Sequence, residues 1–218
     1  MSRRARPSKA PLSREVIIET GLRVLDADGL GALTMRRVAQ ELDTGAASLY
    51  VYVANRDDLM AAMLDHVLGS VPEPEGDTWR ERLVTLIEST VAVMGRHEGL
   101  AVFALGAIPT GANALRLIDR MLGLLAEAGV DDRTNSWAVD LLYLHITASA
   151  AEHSASAAAR SSESDTVAAA ELRLAELPAD RYPMVTAMRA ELLAGDGDSR
   201  AAWALQVLID GILGTSAG

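Results

Sequence analysis

Apolar residues recur at helical spacing from residue 13 onward. Val16, Ile17, Leu22, Val24 and Leu25 form one stripe. It begins after Ser13, a residue suited to capping a helix start, and stops at Asp28-Gly29-Leu30-Gly31, where glycine takes the left-handed conformation at little cost. A helix is predicted over 13–27. Thr34 can cap a second helix that runs to Leu42, with Val38, Ala39 and Leu42 turned inward and Arg36, Arg37, Gln40 and Glu41 outward. The tight turn Asp43-Thr44-Gly45 leads to a third, shorter helix predicted from Ala46 to Val53. That helix has no full apolar face: Leu49 and Val53, four apart, read as core, while small residues, a hydroxyl and two tyrosines fill the rest. Asn55 caps a fourth helix reaching Leu68, with Asp57 and Asp58 complementing its dipole and Leu59, Met60, Met63, Leu64 and Val67 as its stripe.

Gly69-Ser70-Val71-Pro72-Glu73-Pro74-Glu75-Gly76 cannot continue a helix and reads as a linker. Beyond it, helices are predicted near 78–97, 111–128, 132–160, 165–177, 184–194 and 199–214. Their breakers are Pro109-Thr110-Gly111, Gly129, Ser161-Ser162, Pro178, Pro183 and Gly195-Asp196-Gly197. There is no strand-like alternation and no repeat of fixed period. The expected fold is all-α, with a small N-terminal helix-turn-helix domain ahead of a larger helical body. The divisions are a basic flexible arm over 1–12, the helix-turn-helix domain over 13–68, a linker over 69–77 and the body over 78–218.

Composition narrows the chemistry. The 218 residues contain no cysteine, which excludes disulfides, thiol catalysis and thiolate metal sites and fits a cytoplasmic protein. No run of about 18 apolar residues exists, so no membrane span is expected. The basic N-terminus lacks a following apolar segment and does not read as a secretory signal. The net charge is −10, but it is unevenly spread. Residues 1–14 hold Arg3, Arg4, Arg6, Lys9 and Arg14 without one acid, and residues 1–60 balance nine basic against eight acidic side chains. A basic front on an acidic body suggests that only the front meets phosphate.

Helix, tight turn and short polar helix is the arrangement that sets a second helix into the DNA major groove. Ser48 can bond a phosphate or a base edge. Tyr50 and Tyr52 can reach phosphates with their hydroxyls or thymine methyls with their rings. The competing reading makes the tyrosines ordinary core. Of Arg36 and Arg37, one is expected to be a solvated charge and the other to read guanine or clamp a phosphate. No nucleophile elbow, phosphate-cradling loop, His-Glu-x-x-His or structured carboxylate pair is present, so an enzyme is not expected. The alternative is a helical small-molecule-binding protein or enzyme that carries a DNA-binding head.

Residues 13–68 resemble the DNA-binding domain of the tetracycline-repressor (TetR) family of bacterial regulators. The likeness rests on Asp28-Gly29-Leu30, on Leu33-Thr34-Met35-Arg36-Arg37-Val38-Ala39-Gln40-Glu41-Leu42, on Ser48-Leu49-Tyr50-Val51-Tyr52-Val53 and on Asn55-Arg56-Asp57-Asp58-Leu59. It implies that Thr34 and Arg36 contact the operator from the second helix. Ala46, Ala47, Ser48, Tyr50 and Tyr52 would do so from the third, and Arg56 would hold a phosphate. Asp43-Thr44 departs from the family's usual Gly-Val, so an aspartate is expected in the left-handed conformation. Trp79-Arg80-Glu81-Arg82-Leu83, Arg96-His97-Glu98-Gly99-Leu100, Leu105-Gly106-Ala107-Ile108-Pro109 and Leu141-Leu142-Tyr143-Leu144-His145 resemble the family's tetracycline-repressor-like C-terminal domain.

That resemblance implies a homodimer in which the helices near 132–160 and 199–214 pair with their copies. The residues point the same way. Trp203, Leu205, Val207, Leu208, Ile209, Ile212 and Leu213 are too apolar for one side of a lone helix, and Ala148, Ala150, Ala151, Ala155 and Ala157 permit close approach. Candidate effector residues are Met94, His97, Phe103, Met121, Trp137, Leu141 and His145, where aromatic, Met and polar groups would surround a cavity. His145 and His153 share a helix face but lack a third ligand. The resemblance also puts Ala104 where tetracycline repressors carry the histidine that binds the drug's magnesium. No metal or cofactor is expected. The expected function is a ligand-responsive transcriptional repressor that binds a palindromic double-stranded operator as a dimer and is released by a small molecule.

Overall fold

The computed structural model describes residues 11–97, 99–158 and 163–216. The described residues are helical and contain no strand, as the pattern predicts. The head is built from α1 (Arg14–Asp28), α2 (Met35–Glu41), α3 (Ala46–Leu49) and α4 (Arg56–Leu68). The body follows with α5 (Trp79–Met94), α6 (Leu100–Leu105), α7 (Ala112–Glu127), α8 (Asp132–Ala158), α9 (Glu163–Ala175), α10 (Pro183–Ala187), α11 (Arg189–Leu193) and α12 (Gly197–Ser216). Most of the expected basic arm lies outside the described residues, as do the Ser161-Ser162 breaker and Glu98.

The helix starts are set by side chains that satisfy otherwise orphaned N–H groups. Ser13 accepts from Val16, Thr34 from Arg37 and Asn55 from Asp58. Thr78 and Glu81 form a reciprocal capping box at the start of α5. One continuous apolar core then runs from Ile17 in α1 through Leu59 and Met63 in α4 and Leu86 in α5 to Ile209 in α12.

Three elements differ from the expectation. The third helix is α-helical only over Ala46–Leu49; Tyr50–Tyr52 continue as a turn closed by the Tyr52 and Val53 N–H groups on the Leu49 carbonyl. α6 was not predicted, because six residues between Gly99 and Gly106 are too few to show a period. Gly99 starts it at φ 83°, the left-handed region. The 184–194 segment divides into α10 and α11 at Met188, and α10 takes Pro183 as its first residue. α10 and α11 bury no residue and lie against α9.

Candidate nucleic-acid interface and effector body

The head is a buried support that turns one short element outward. At the turn, Asp43 adopts φ 50°, the left-handed conformation expected of it, and the Thr44 N–H donates to the Ala39 carbonyl at 2.9 Å. α3 hangs on Leu49, which is fully buried, and on Val53 just beyond it. Those two anchors roll Ala47, Ser48, Tyr50 and Val51 into solvent and leave Ala46 half-buried. Tyr50 is 54% exposed and Val51 81%, so neither is core.

The adjacent arginines of α2 separate cleanly. Arg37 donates from Nε to Asp28 at 2.9 Å and from Nη1 to Glu41 at 2.7 Å, and these bonds, Glu41 first, hold its guanidinium protonated more firmly than usual. Arg36 is exposed and has no partner among the described residues. Thr34 lies two residues earlier, also exposed, with its hydroxyl engaged in capping α2. Tyr52 donates its hydroxyl to the Leu12 carbonyl at 2.9 Å, which pins the chain ahead of α1 to the head.

Arg56, which the resemblance implies as a phosphate contact, has two of its donors engaged inside the head. Its Nε donates to the Leu33 carbonyl at 2.7 Å and its Nη2 to the Leu30 carbonyl at 3.0 Å. The guanidinium therefore braces the connection between α1 and α2 from the first turn of α4. Nothing in the local pattern signals this, because the partners are 23 and 26 residues away.

In the body, the seven candidate effector residues fall into three groups. Met94, Phe103, Met121 and His145 lie on α5, α6, α7 and α8, with α8 packed against the other three. Met94 and Met121 are fully buried, Phe103 and His145 half-buried, and burial lowers the pKa of His145. Tyr143, two residues before His145, has a buried hydroxyl with no partner among the described residues, and burial raises its pKa to about 12. His97 does not join this group: its Nδ1 meets Asp26 Oδ1 of α1 at 2.8 Å, at the junction with the head. Trp137 and Leu141 also lie elsewhere. They line an open groove of about 480 Å³ between α8 and α12, with Arg133 stacked 4.5 Å over the Trp137 ring. Leu144, Trp203 and Val207 are exposed on the same two helices. Among the described residues no cluster of three potential metal ligands exists, and no helix is long and apolar enough to cross a membrane.

A three-helix support that presents a short helix and an arginine without a partner among the described residues to solvent, ahead of a helical body, defines a helix-turn-helix DNA-binding regulator. Residues 17–63 match the family model of bacterial regulatory proteins of the tetR family, and residues 71–215 match the tetracyclin repressor-like C-terminal domain. The chain belongs to the TetR family. It is similar to the transcriptional repressor DrrR1 of Streptomyces coeruleorubidus, at 29% identity over 95% of this chain and 80% of that protein. It is also similar to the TetR family protein ActR of Streptomyces coelicolor, solved in complex with actinorhodin, at 36% identity and a TM-score of 0.85 over 95% and 98% of the two chains. A putative Streptomyces transcription regulator shares 41% identity at a TM-score of 0.74, over 95% and 96%. These relatives are regulators rather than enzymes, and this chain is a DNA-binding transcriptional regulator of a ligand-responsive family whose members typically act as dimers on operators.

Proposed function

We propose that two copies of this chain bind an inverted-repeat operator in the cytoplasm and leave it when a small molecule enters the helical body. The observation that carries this reading is an exposed Arg36, without a partner among the described residues, beside the solvent-facing Ala47, Ser48 and Tyr50 on an anchored α3. Arg36 reads a guanine edge, where a bidentate contact discriminates by about 1–3 kcal/mol. Ser48 and Tyr50 reach phosphates or base edges, Ala46 and Ala47 offer methyls, and Thr34 and Tyr52 border the backbone. Arg56 serves the interface as a brace. The arm over 1–12 supplies further phosphate contacts. The body over 78–218 holds the effector and dimerises through the uncovered α8 and α12 face.

The effector belongs to the kind of molecule that ActR holds, and Met94, Phe103, Met121 and His145 surround it, with the unsatisfied Tyr143 hydroxyl as a donor for one of its oxygens. The reading is tested by fluorescence anisotropy of a duplex that the protein selects from a random library, titrated with actinorhodin. Release of the duplex at saturating actinorhodin is expected. Selection of duplex that no actinorhodin concentration reverses would remove this effector class, and failure to select any duplex would remove the regulator reading.

A further inference from the structure

The last turn of α4 is locked to the first turn of α7. Helix α7 has no side-chain cap of its own, since its N-cap is Gly111. The cap comes from α4 instead: Asp65 Oδ1 accepts from the backbone N–H of Asn113 at 2.9 Å and of Ala114 at 3.0 Å. Asn113 returns the contact, donating from Nδ2 to the Asp65 carbonyl at 2.9 Å. A carboxylate on two free N–H groups at a helix start combines charge-assisted hydrogen bonds with the helix dipole. The fit has no slack, because a Cβ at Gly111 would overlap the Asp65 carboxylate. Just past α4, Glu73 of the linker pairs with Arg120 of α7. The connection from α6 to α7 ends at this lock, and α6 also packs on α4 and α8. The N-terminal end of α6 touches the head as well, through Gly99 against Leu30 and through His97 on Asp26.

We propose that Asp65 is the positioning residue that transmits effector occupancy to the reading heads, with Gly111 kept as glycine so that its carboxylate can cap α7. The inference rests on the effector-released reading above. A displacement of α6 and the 106–110 connection must either strip the cap from α7 or carry α4 with it. Since α4 packs on α1, the head moves as a body and the spacing of the two α3 elements changes. An effector shifts this equilibrium only by its differential affinity for the two arrangements. Without the lock, the duplex and the effector still bind, but each loses its influence on the other.

The test compares wild type with D65A, D65N, G111A and the D65A/G111A double variant. Actinorhodin is the effector probe, and a duplex selected by the wild type from a random library is the DNA probe. The coupling factor is the duplex Kd with actinorhodin over that without it, and such factors run at about 5–150-fold. D65A and G111A are expected to bring it to within about twofold of unity, while each probe alone binds within about threefold of wild type. D65N keeps an acceptor oxygen and should fall between. The double variant should lose no more than either single one. Coupling in the folded single variants equal to wild type would overturn the proposal.

A second readout needs no effector. The wild type should reject its duplex when one base pair is inserted between the half-sites, whereas D65A should tolerate the insertion. Equal rejection by both overturns the lock. A wild type that selects duplex but ignores actinorhodin refutes that effector class and leaves the spacing result to decide the lock. One that selects no duplex overturns the regulator reading and the lock with it.

Discussion

Arg36 and Arg37 are neighbours with the same side chain, and their surroundings divide their work. Arg37 closes a bridge between Asp28 and Glu41, so its truncation should lower the melting temperature slightly and leave DNA preference intact. Arg36 is exposed and unpartnered among the described residues. Arg36→Ala should cost about 1–3 kcal/mol of specific binding, measured by anisotropy across an operator permuted at each position. An unchanged preference at every position would contradict base reading. Arg56→Ala should act through folding. Loss of its two charge-assisted bonds to Leu30 and Leu33 should cost about 1.5–3 kcal/mol of stability in chemical denaturation. The sequence leaves one of the two α2 arginines for DNA without saying which, and the structure separates them by pairing Arg37 with Asp28 and Glu41. The bracing bonds from Arg56 are not legible in the sequence, because the partners become neighbours only after α1 and α2 have folded.

Among the elements, those bounded by a capping side chain or by clear breakers are legible: α1, α2, α4 and α7 begin and end within a few residues of the expectation. α3 is shorter than its pattern implies, because Tyr50–Val53 keeps an apolar spacing while only Leu49 and Val53 are anchored. α6 leaves no signal in the pattern, because both of its ends are glycines and its six residues complete fewer than two turns. The start of α8 has its own device. Asp131 is held at a pKa of about 2 by hydrogen bonds from Thr134, Ser216 of α12 and the Arg133 N–H. The sign follows from a depressed carboxylate: its contribution to stability is fully present above the unfolded value of about 3.9 and is lost as the pH falls through about 2. A carbon-detected NMR titration of the Asp131 carboxyl should give a midpoint near 2, and a midpoint near 3.9 would show that the cap is not formed.

At the scale of the molecule, the all-α class and the order of head and body were readable from periodicity and breakers. The inner arrangement of the body was less so. A hydrophobic position on a long helix looks the same whether it faces its own core or a second chain. Trp137 and Leu141, expected among the effector residues, lie in the open groove between α8 and α12. The apolar runs on those helices do leave Leu144, Trp203 and Val207 turned outward on α8 and α12. His97, Asp26, Asp65 and Asn113 join head to body across 71 and 48 residues, which no local pattern encodes. If the groove is the dimer face, Leu141→Asp together with Val207→Asp should give a folded monomer in sedimentation velocity that no longer retains an inverted-repeat duplex. A dimer that persists would place the interface elsewhere.

Two heads held at a fixed separation must read two half-sites about one helical turn apart, roughly 34–36 Å. Sequencing of the duplexes that the purified full-length protein enriches from a random library is the direct test. An inverted repeat with a single preferred spacing, lost in Arg36→Ala, is the predicted outcome. Enrichment of no duplex, or of one asymmetric half-site bound equally well at any spacing, would contradict it.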